Sequence, residues 1–207
     1  MTTTARILSV LFHPLLLTTY LFATLAAVLP TALAPVYSES FGTFLLMIFL
    51  VTFVLPVICM GIFKTFGTIN SFTMKTRRER LIPFIFITGI YVATTWMFLQ
   101  NGGRSLDDNL IRLLMVIDGL VMVATLVTFF YKVSVHSLAI WGIIGVMMVL
   151  ARMAEINTML YISTGMIVLA GFVMAARLHL GAHSAAEVFS GAALGLVASI
   201  LGMLILY

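Results

Sequence analysis

Seven long apolar segments, separated by short polar ones, fill most of the 207-residue chain and constrain its fold more than any other feature. A helix crosses the hydrocarbon core of a bilayer with about 20 consecutive apolar residues. The segments near this length are 7–30, 43–64, 81–100, 110–131, 137–153, 157–178 and 185–207. Uninterrupted runs favour helices, because the strands of a membrane barrel alternate between lipid-facing and lumen-facing residues. The sequence therefore predicts an all-α, polytopic transmembrane helical bundle of six to seven spans, forming one domain over 1–207.

The composition excludes most other classes of protein. Hydrophobic residues make up 62% of the chain and charged residues 9%, whereas soluble domains have roughly 45–50% and about 25%. So few charges cannot cover the surface of a soluble domain, and they exclude a disordered chain, a disulfide-rich secreted fold and a nucleic-acid-binding protein. In a membrane protein, a net charge of +4 is typical of basic loops that anchor the topology.

Basic residues and histidines cluster on one side of the predicted bundle. Counting spans places the N-terminus and the polar breaks at 65–80, 132–136 and 177–184 on one face of the membrane. That face carries eight of the eleven Lys and Arg residues and three of the four histidines. A convergent cluster of cations and imidazoles suits a multiply charged anion, and phosphate is the obvious candidate.

The strongest candidate segment runs from Arg177 to Glu187. His183 and Glu187 are four residues apart, so they are neighbours on one helical face. The carboxylate can then accept a hydrogen bond from one ring nitrogen, which leaves the other nitrogen free to attack. Gly181 lets the chain turn before this helix begins, and the helix N-terminus points its N–H groups at an anion.

A second candidate segment contains Lys132, Ser134 and His136. Lys132 and Ser134 suit the binding of phosphate oxygens, and His136 suits the protonation of a leaving oxygen. Together, Arg-x5-His-x3-Glu at 177–187 and Ser-x-His at 134–136 resemble the third and second motifs of the type 2 phosphatidic acid phosphatase superfamily. The usual forms of these motifs are Ser-Arg-x5-His-x3-Asp and Pro-Ser-Gly-His.

The sequence departs from the family pattern in several places, and it looks like a divergent bacterial branch. The first motif, Lys-x6-Arg-Pro, is not present as written, and its counterpart is the stretch with Arg77 and Arg80, three residues before Pro83. The other departures replace a proline, a glycine, a serine and an aspartate by Val133, Val135, Ala176 and Glu187. The phosphatase-like core covers about 70–207.

The resemblance implies an integral-membrane phosphatase that hydrolyses a lipid phosphate or lipid diphosphate through a phosphohistidine intermediate. In such an enzyme His183 attacks phosphorus, Glu187 orients His183, and His136 protonates the departing oxygen and then activates water. The phosphate-binding residues that it implies are Arg177, Lys132, Ser134, Arg80 and Arg77. We expect no metal and no cofactor, and the implied partners are a phosphorylated membrane lipid and the bilayer of a bacterial inner membrane.

Two other functions stay open on the sequence. A transporter or binding protein for a phosphorylated amphiphile uses the same cations without hydrolysis. Asp118, near the middle of a predicted span, favours transport because an acid inside the membrane is costly and by default functional. A catalytically degenerate family member keeps the fold without turnover. The identity of the lipid, the choice between monophosphate and diphosphate, and the oligomeric state are not determined by the sequence.

The charge distribution and the family resemblance predict opposite sides of the membrane for the motifs. The positive-inside rule places the face with eight Lys and Arg residues in the cytoplasm. Many bacterial members of the superfamily have their site in the periplasm. If Arg77, Arg80, Lys132 and Arg177 belong to the site, four topological cations oppose three on the other face, and the rule no longer discriminates. We therefore expect the periplasmic orientation that the resemblance implies.

Overall fold

The computed structural model describes residues 1–74, 76–100, 106, 108–155 and 157–207. Lys75 and Arg104, which the topology count includes, lie outside the described residues. No strand occurs among the residues that are described, and six of their helical segments are long and apolar enough to cross a membrane. A bent pair of helices at the N-terminus raises this number to seven if the pair is one span. The predicted all-α bundle of six to seven spans is therefore confirmed.

The helices follow one another along the chain with short connections. They are α1 (Thr2–Leu11), α2 (Pro14–Val28), α3 (Phe41–Phe49), α4 (Leu55–Thr65), α5 (Arg77–Gln100), α6 (Asn109–Thr128), α7 (Val135–Met153), α8 (Asn157–His179) and α9 (Ala185–Leu206). A π-helical stretch at Leu50–Val54 joins α3 to α4, so that Ser38–Thr65 forms one helical segment.

The first predicted span, 7–30, is divided in two. α1 ends at Leu11, α2 begins at Pro14, and the two helices meet at a bend of 58°. Proline has no N–H for the preceding turn and its ring clashes with the carbonyl four residues back, so a helix that reaches a proline ends or kinks there. His13 consequently lies at the bend and not inside a continuous helix.

The chain folds into two compact units. Met1–Leu17 and Val133–Tyr207 form one of them, which we call the terminal unit, and Thr18–Lys132 form the other, the central unit. The terminal unit contains α1, α7, α8 and α9, and the central unit contains most of α2 together with α3 to α6. The prediction of a single domain over the whole chain stays a prediction.

In the terminal unit, α7 is the central helix. In its most apolar stretch 61% of the residues are buried, against 33% for α8 and for α9. α9 runs parallel to α7 and contacts it through glycines: a Cβ atom on Gly191 would lie 2.5 Å from the carbonyl oxygen of Ser134, and one on Gly195 would overlap the carbonyl of Leu138. Small residues four apart let helix backbones approach closely. Here they bring the first turn of α9 against the first turn of α7.

In the central unit, α6 is the most buried of the membrane-length helices. It packs antiparallel to α5, where the hydroxyls of Thr88 and Thr125 are 2.7 Å apart and Asp118 lies beside Thr95. Asp118 is buried, as its position near the middle of a membrane-length helix predicts.

Candidate functional site

His183 and Glu187 form a close, nearly buried polar pair in the terminal unit. Nδ1 of His183 lies 2.6 Å from Oε2 of Glu187, and the two side chains are 2% and 18% exposed. A carboxylate only accepts hydrogen bonds, so Nδ1 carries the proton and Nε2 of the neutral imidazole keeps its lone pair. The predicted hydrogen bond is therefore present, but the two residues do not share one helical face, because α9 begins at Ala185 and His183 precedes its N-cap residue.

The N-terminus of α9 holds Glu187 in place. Ser184 is the N-cap residue: its Oγ accepts the N–H of Glu187, and its own N–H donates to Glu187 Oε2, each over 3.3 Å. Such a capping box satisfies two otherwise unpaired N–H groups at a helix start. The same Oε2 thus accepts from the helix cap and from His183, so the cap fixes the group that orients the imidazole. The Ser-x-x-Glu pattern at 184–187 is a sequence signal for this cap.

A tight turn at Gly181 leads from α8 to His183. Gly181 has a φ of 60°, and the N–H groups of Ala182 and Gly181 donate to the carbonyls of Arg177 and Leu178. This is the Schellman ending of a helix, in which the left-handed position favours glycine because it has no Cβ. His179, the exposed last residue of α8, and His183 therefore do not lie on one continuous helix. Among the described residues, no group of three or more His, Cys, Asp or Glu side chains is arranged to hold a metal ion.

His136 lies in the first turn of α7 and contacts α1. Its Nε2 lies 3.0 Å from the carbonyl oxygen of Ser9, so Nε2–H donates this hydrogen bond. Arg177 and His183 lie near enough to His136 for their charges to interact with its imidazole. Nδ1 is then the nitrogen through which His136 exchanges a proton.

Arg177 lies in the last turn of α8 and also contacts Ser9. Its Nη1 donates a hydrogen bond to the Ser9 hydroxyl over 3.3 Å. A backbone bond of 3.0 Å from the N–H of Ser134 to the carbonyl of Glu187 joins the first turns of α7 and α9. Four residues predicted from the sequence, Arg177, His136, His183 and Glu187, therefore meet at the ends of three helices of one unit.

Ser134 reaches the same place with its backbone, but its side chain points into the helix packing. The residue is 0% exposed, and its Oγ accepts a hydrogen bond from Ser137 Oγ over 3.1 Å. Contact between this hydroxyl and a phosphate therefore requires local opening of the packing. The phosphate-binding role of Ser134 stays a prediction.

The other three predicted phosphate ligands belong to the central unit. Arg80 is buried, and its Nε donates to the carbonyl of Met74 over 3.0 Å. Arg77 donates through Nη1 to the carbonyl of Phe129, just after α6. Lys132 is half-buried and is the last residue of this unit. In these positions the two arginines hold backbone carbonyls, and phosphate binding by all three residues stays a prediction.

Two further residues lie beside His136, although no sequence motif includes them: Ser9 in α1, and His13 just after the end of α1. Ser9 contacts both His136 and Arg177, as described above. The ring of His13 packs edge-on against that of His136, with centroids 5.6 Å apart and ring planes at 80°. The only sequence signal is a serine and a histidine inside a long apolar run.

Comparison of the chain with protein-family models, with curated proteins and with solved structures finds no match. The chemistry of the site follows from its own residues. They are a buried imidazole–carboxylate pair, a second imidazole and a guanidinium, gathered at the ends of apolar helices.

Proposed function

We propose that the protein is an integral-membrane phosphatase that hydrolyses a lipid phosphate or lipid diphosphate through a phosphohistidine formed on His183. The observation that carries this proposal is the 2.6 Å hydrogen bond between His183 and Glu187, in a pair almost closed to solvent. Binding an anion needs only cations, whereas a carboxylate that fixes the tautomer of an imidazole prepares a nucleophile. The resemblance of the segments around His136 and His183 to the phosphatase motifs supports the same chemistry.

In the first half of the reaction the phosphoryl group moves to the enzyme. The lone pair of His183 Nε2 attacks phosphorus, a nitrogen–phosphorus bond forms, and the bond from phosphorus to the leaving oxygen breaks. His136 enters this step as the imidazolium, with Nε2–H held by the Ser9 carbonyl and a second proton on Nδ1. It gives the Nδ1 proton to that oxygen, so the lipid leaves as an alcohol, or as a monophosphate when the substrate is a diphosphate. Glu187 stabilises the positive charge that develops on His183, and Arg177 stabilises the phosphoryl oxygens.

In the second half a water molecule releases the phosphate. Its oxygen attacks phosphorus opposite the His183 nitrogen, the nitrogen–phosphorus bond breaks, and Nδ1 of His136 accepts the proton of the water. Inorganic phosphate leaves, and both imidazoles return to their starting protonation states. General acid–base help of this kind typically contributes about 10²–10⁴-fold to the rate.

The site suits a substrate that stays in the membrane. His136, Arg177 and His183 lie in or next to the end turns of helices long enough to cross a bilayer. A lipid whose tail remains in the hydrocarbon region can therefore present its headgroup to them. We place the protein in a bacterial inner membrane with this end of α8 facing the periplasm, as the motif resemblance implies.

The first test is the release of inorganic phosphate by the detergent-purified protein. Phosphatidic acid, phosphatidylglycerol phosphate and undecaprenyl diphosphate are each offered with a chelator present. We expect the wild type to release phosphate from at least one of them, and His183→Ala to be slower by at least about 10²-fold, because it lacks the nucleophile. His179→Ala is the matched control, since His179 is an exposed histidine at the end of α8.

The intermediate gives a second readout of the same proposal. A brief reaction with a radiolabelled substrate, quenched in alkali, is expected to leave phosphate on the wild-type protein and none on His183→Ala. Equal release of phosphate by His183→Ala and by the wild type would contradict the mechanism.

A transporter for a phosphorylated amphiphile is the second candidate, and Asp118 favours it. The residue is buried near the middle of α6, in a helix of membrane-spanning length, beside Thr95. The proposed hydrolysis gives it no role, although an acid inside the membrane is by default functional. Binding of the same lipids without release of phosphate from any of them favours this candidate over the phosphatase.

A further inference from the structure

One serine of α1 contacts two residues of the proposed catalytic group. Ser9 is buried. Its carbonyl oxygen lies 3.0 Å from His136 Nε2, and its hydroxyl accepts a hydrogen bond from Arg177 Nη1 over 3.3 Å. These partners are 127 and 168 positions away along the chain and lie on two different helices, α7 and α8. Ser9 therefore joins the proposed general acid to a proposed phosphate ligand.

The carbonyl contact selects the nitrogen that His136 uses. A carbonyl oxygen only accepts, so Nε2 carries a proton whenever this bond is made. The proton exchanged with the leaving group and with water is then the one on Nδ1, and the ring returns to the same tautomer after each transfer. The ring of His13 contacts that of His136 in a T-shaped arrangement, with centroids 5.6 Å apart.

The hydroxyl contact restrains Arg177. The guanidinium is planar with five donors in a fixed arrangement, so one bond from Nη1 sets the plane in which the others lie. A long side chain that is ordered before the anion arrives loses less conformational freedom on binding. Ser9 is thus placed to increase the affinity of Arg177 for a phosphate without touching the phosphate.

We propose that α1 is part of the site and that Ser9 is a positioning residue, which holds His136 and Arg177 in the arrangement that the reaction needs. This inference rests on the proposed phosphatase function and extends it, because none of the motifs includes α1. The bend at His13 and Pro14 is consistent with it: the chain changes direction there, α1 belongs to the terminal unit, and most of α2 belongs to the central unit.

The experiment compares Ser9→Ala and Ser9→Thr with a matched serine variant. Ser163→Ala is the control, because Ser163 is a buried serine of the same unit whose hydroxyl donates to the carbonyl of Met159 in its own helix. KM and kcat for the best lipid phosphate are measured together with the Kd for inorganic phosphate.

We expect Ser9→Ala to raise both KM and the Kd for phosphate by up to about tenfold, the size expected when one long side chain is no longer ordered before binding. The value of kcat should change less, since the backbone carbonyl that holds His136 is kept. Ser9→Thr retains the hydroxyl and should restore both constants to within about twofold of wild type. Ser163→Ala should match the wild type in KM, kcat and Kd. That result would show that loss of a buried serine hydroxyl elsewhere in the unit does not raise KM while leaving kcat nearly unchanged.

The carbonyl contact has a readout that does not depend on turnover. Nitrogen NMR of protein labelled at histidine, assigned with His136→Gln, is expected to show neutral His136 with its proton on Nε2. A neutral ring with its proton on Nδ1 and none on Nε2 would overturn the assignment of the working nitrogen.

The outcomes separate the two proposals. If the wild type neither releases phosphate from the lipids nor binds inorganic phosphate, the proposed function fails whatever Ser9 does. If the wild type is active and Ser9→Ala equals it in KM and in phosphate affinity, the inference about α1 fails and the proposed function stands. Should Ser9→Ala not fold, Ser9→Cys makes the same comparison, because it keeps the side-chain volume and replaces the oxygen by a weak acceptor.

Discussion

At the scale of single residues, one oxygen of Glu187 links the stability of a helix start to the chemistry of the site. Oε2 accepts from the N–H of Ser184 in the capping box and from Nδ1 of His183. The first contact needs only a good acceptor, whereas stabilising an imidazolium on His183 needs a negative charge. The two roles can therefore be separated by a substitution that removes the charge and keeps the shape.

Glu187→Gln is that substitution. We expect kcat to fall by about 10²–10⁴-fold, because the neutral amide stabilises less positive charge and can also orient the wrong tautomer of His183. The free energy of unfolding should change little, because glutamine also completes a capping box. Phosphate release and thermal unfolding of the purified variant check the two expectations. Glu39→Gln, at an exposed glutamate, is the control, and a normal kcat in Glu187→Gln would remove Glu187 from the mechanism.

At the scale of helices, the parallel contact of α7 with α9 positions the site. Gly191 lies four residues after Glu187 and faces the carbonyl of Ser134, and the N–H of Ser134 in turn donates to the carbonyl of Glu187. The approach of the two backbones therefore sets how the first turn of α9, with Glu187, meets the first turn of α7, with His136. We therefore expect a change in the spacing of α7 and α9 to change the rate of phosphate release.

Gly191→Ala tests this coupling. The added Cβ would lie 2.5 Å from the carbonyl oxygen of Ser134, a backbone atom, so the helices must move apart. We expect the free energy of unfolding to fall by about 1–3 kcal/mol, as for other overpacked sites, and phosphate release to fall with it. Gly171→Ala in α8 is the matched control: its Cβ meets nothing within 4 Å, and the better helix propensity of alanine stabilises by up to about 1 kcal/mol. A Gly191→Ala protein as stable and active as the control would show that the close contact is unimportant.

At the scale of the whole molecule, the orientation predicted for the protein in the membrane depends on the role of the clustered cations. Cations that anchor the topology predict a cytoplasmic site, whereas cations that belong to the site leave the count of positive charges without a preference. α8 provides a direct marker, because its 23 residues span about 35 Å at 1.5 Å per residue, slightly more than a hydrocarbon core of about 30 Å. His179 lies at the site end of α8 and Thr158 at the other end, and both are exposed. The two ends of this helix should therefore lie on opposite sides of the membrane.

Single-cysteine labelling reads this orientation. Cys59 is the only cysteine of the chain, so Cys59→Ala supplies a background into which His179→Cys or Thr158→Cys is introduced. With a maleimide that cannot cross the membrane, we expect labelling of His179→Cys in intact bacterial cells and of Thr158→Cys only after the cells are opened. The reverse pattern would place the site in the cytoplasm, in agreement with the simple count of positive charges.

The sequence by itself determined the membrane-length helices and the imidazole–carboxylate pair. Predicted segments such as 110–131 and 185–207 differ by at most a few residues from α6 and α9, because the hydropathy of about 20 consecutive residues is a local property. The His183–Glu187 contact is equally local, since His183 directly precedes the N-cap residue of α9 and Glu187 lies in the first turn of that helix.

Only the tertiary structure decided that α1 separates from α2 and brings Ser9 and His13 to His136 and Arg177. It also decided that the side chain of Ser134 turns inward. Neither result can be derived from a local sequence pattern. Contacts between residues more than a hundred positions apart depend on how whole helices pack, and one serine and one histidine within a long apolar segment form no recognisable motif. The motifs supplied the reacting groups, and helix packing supplied the residue that positions them.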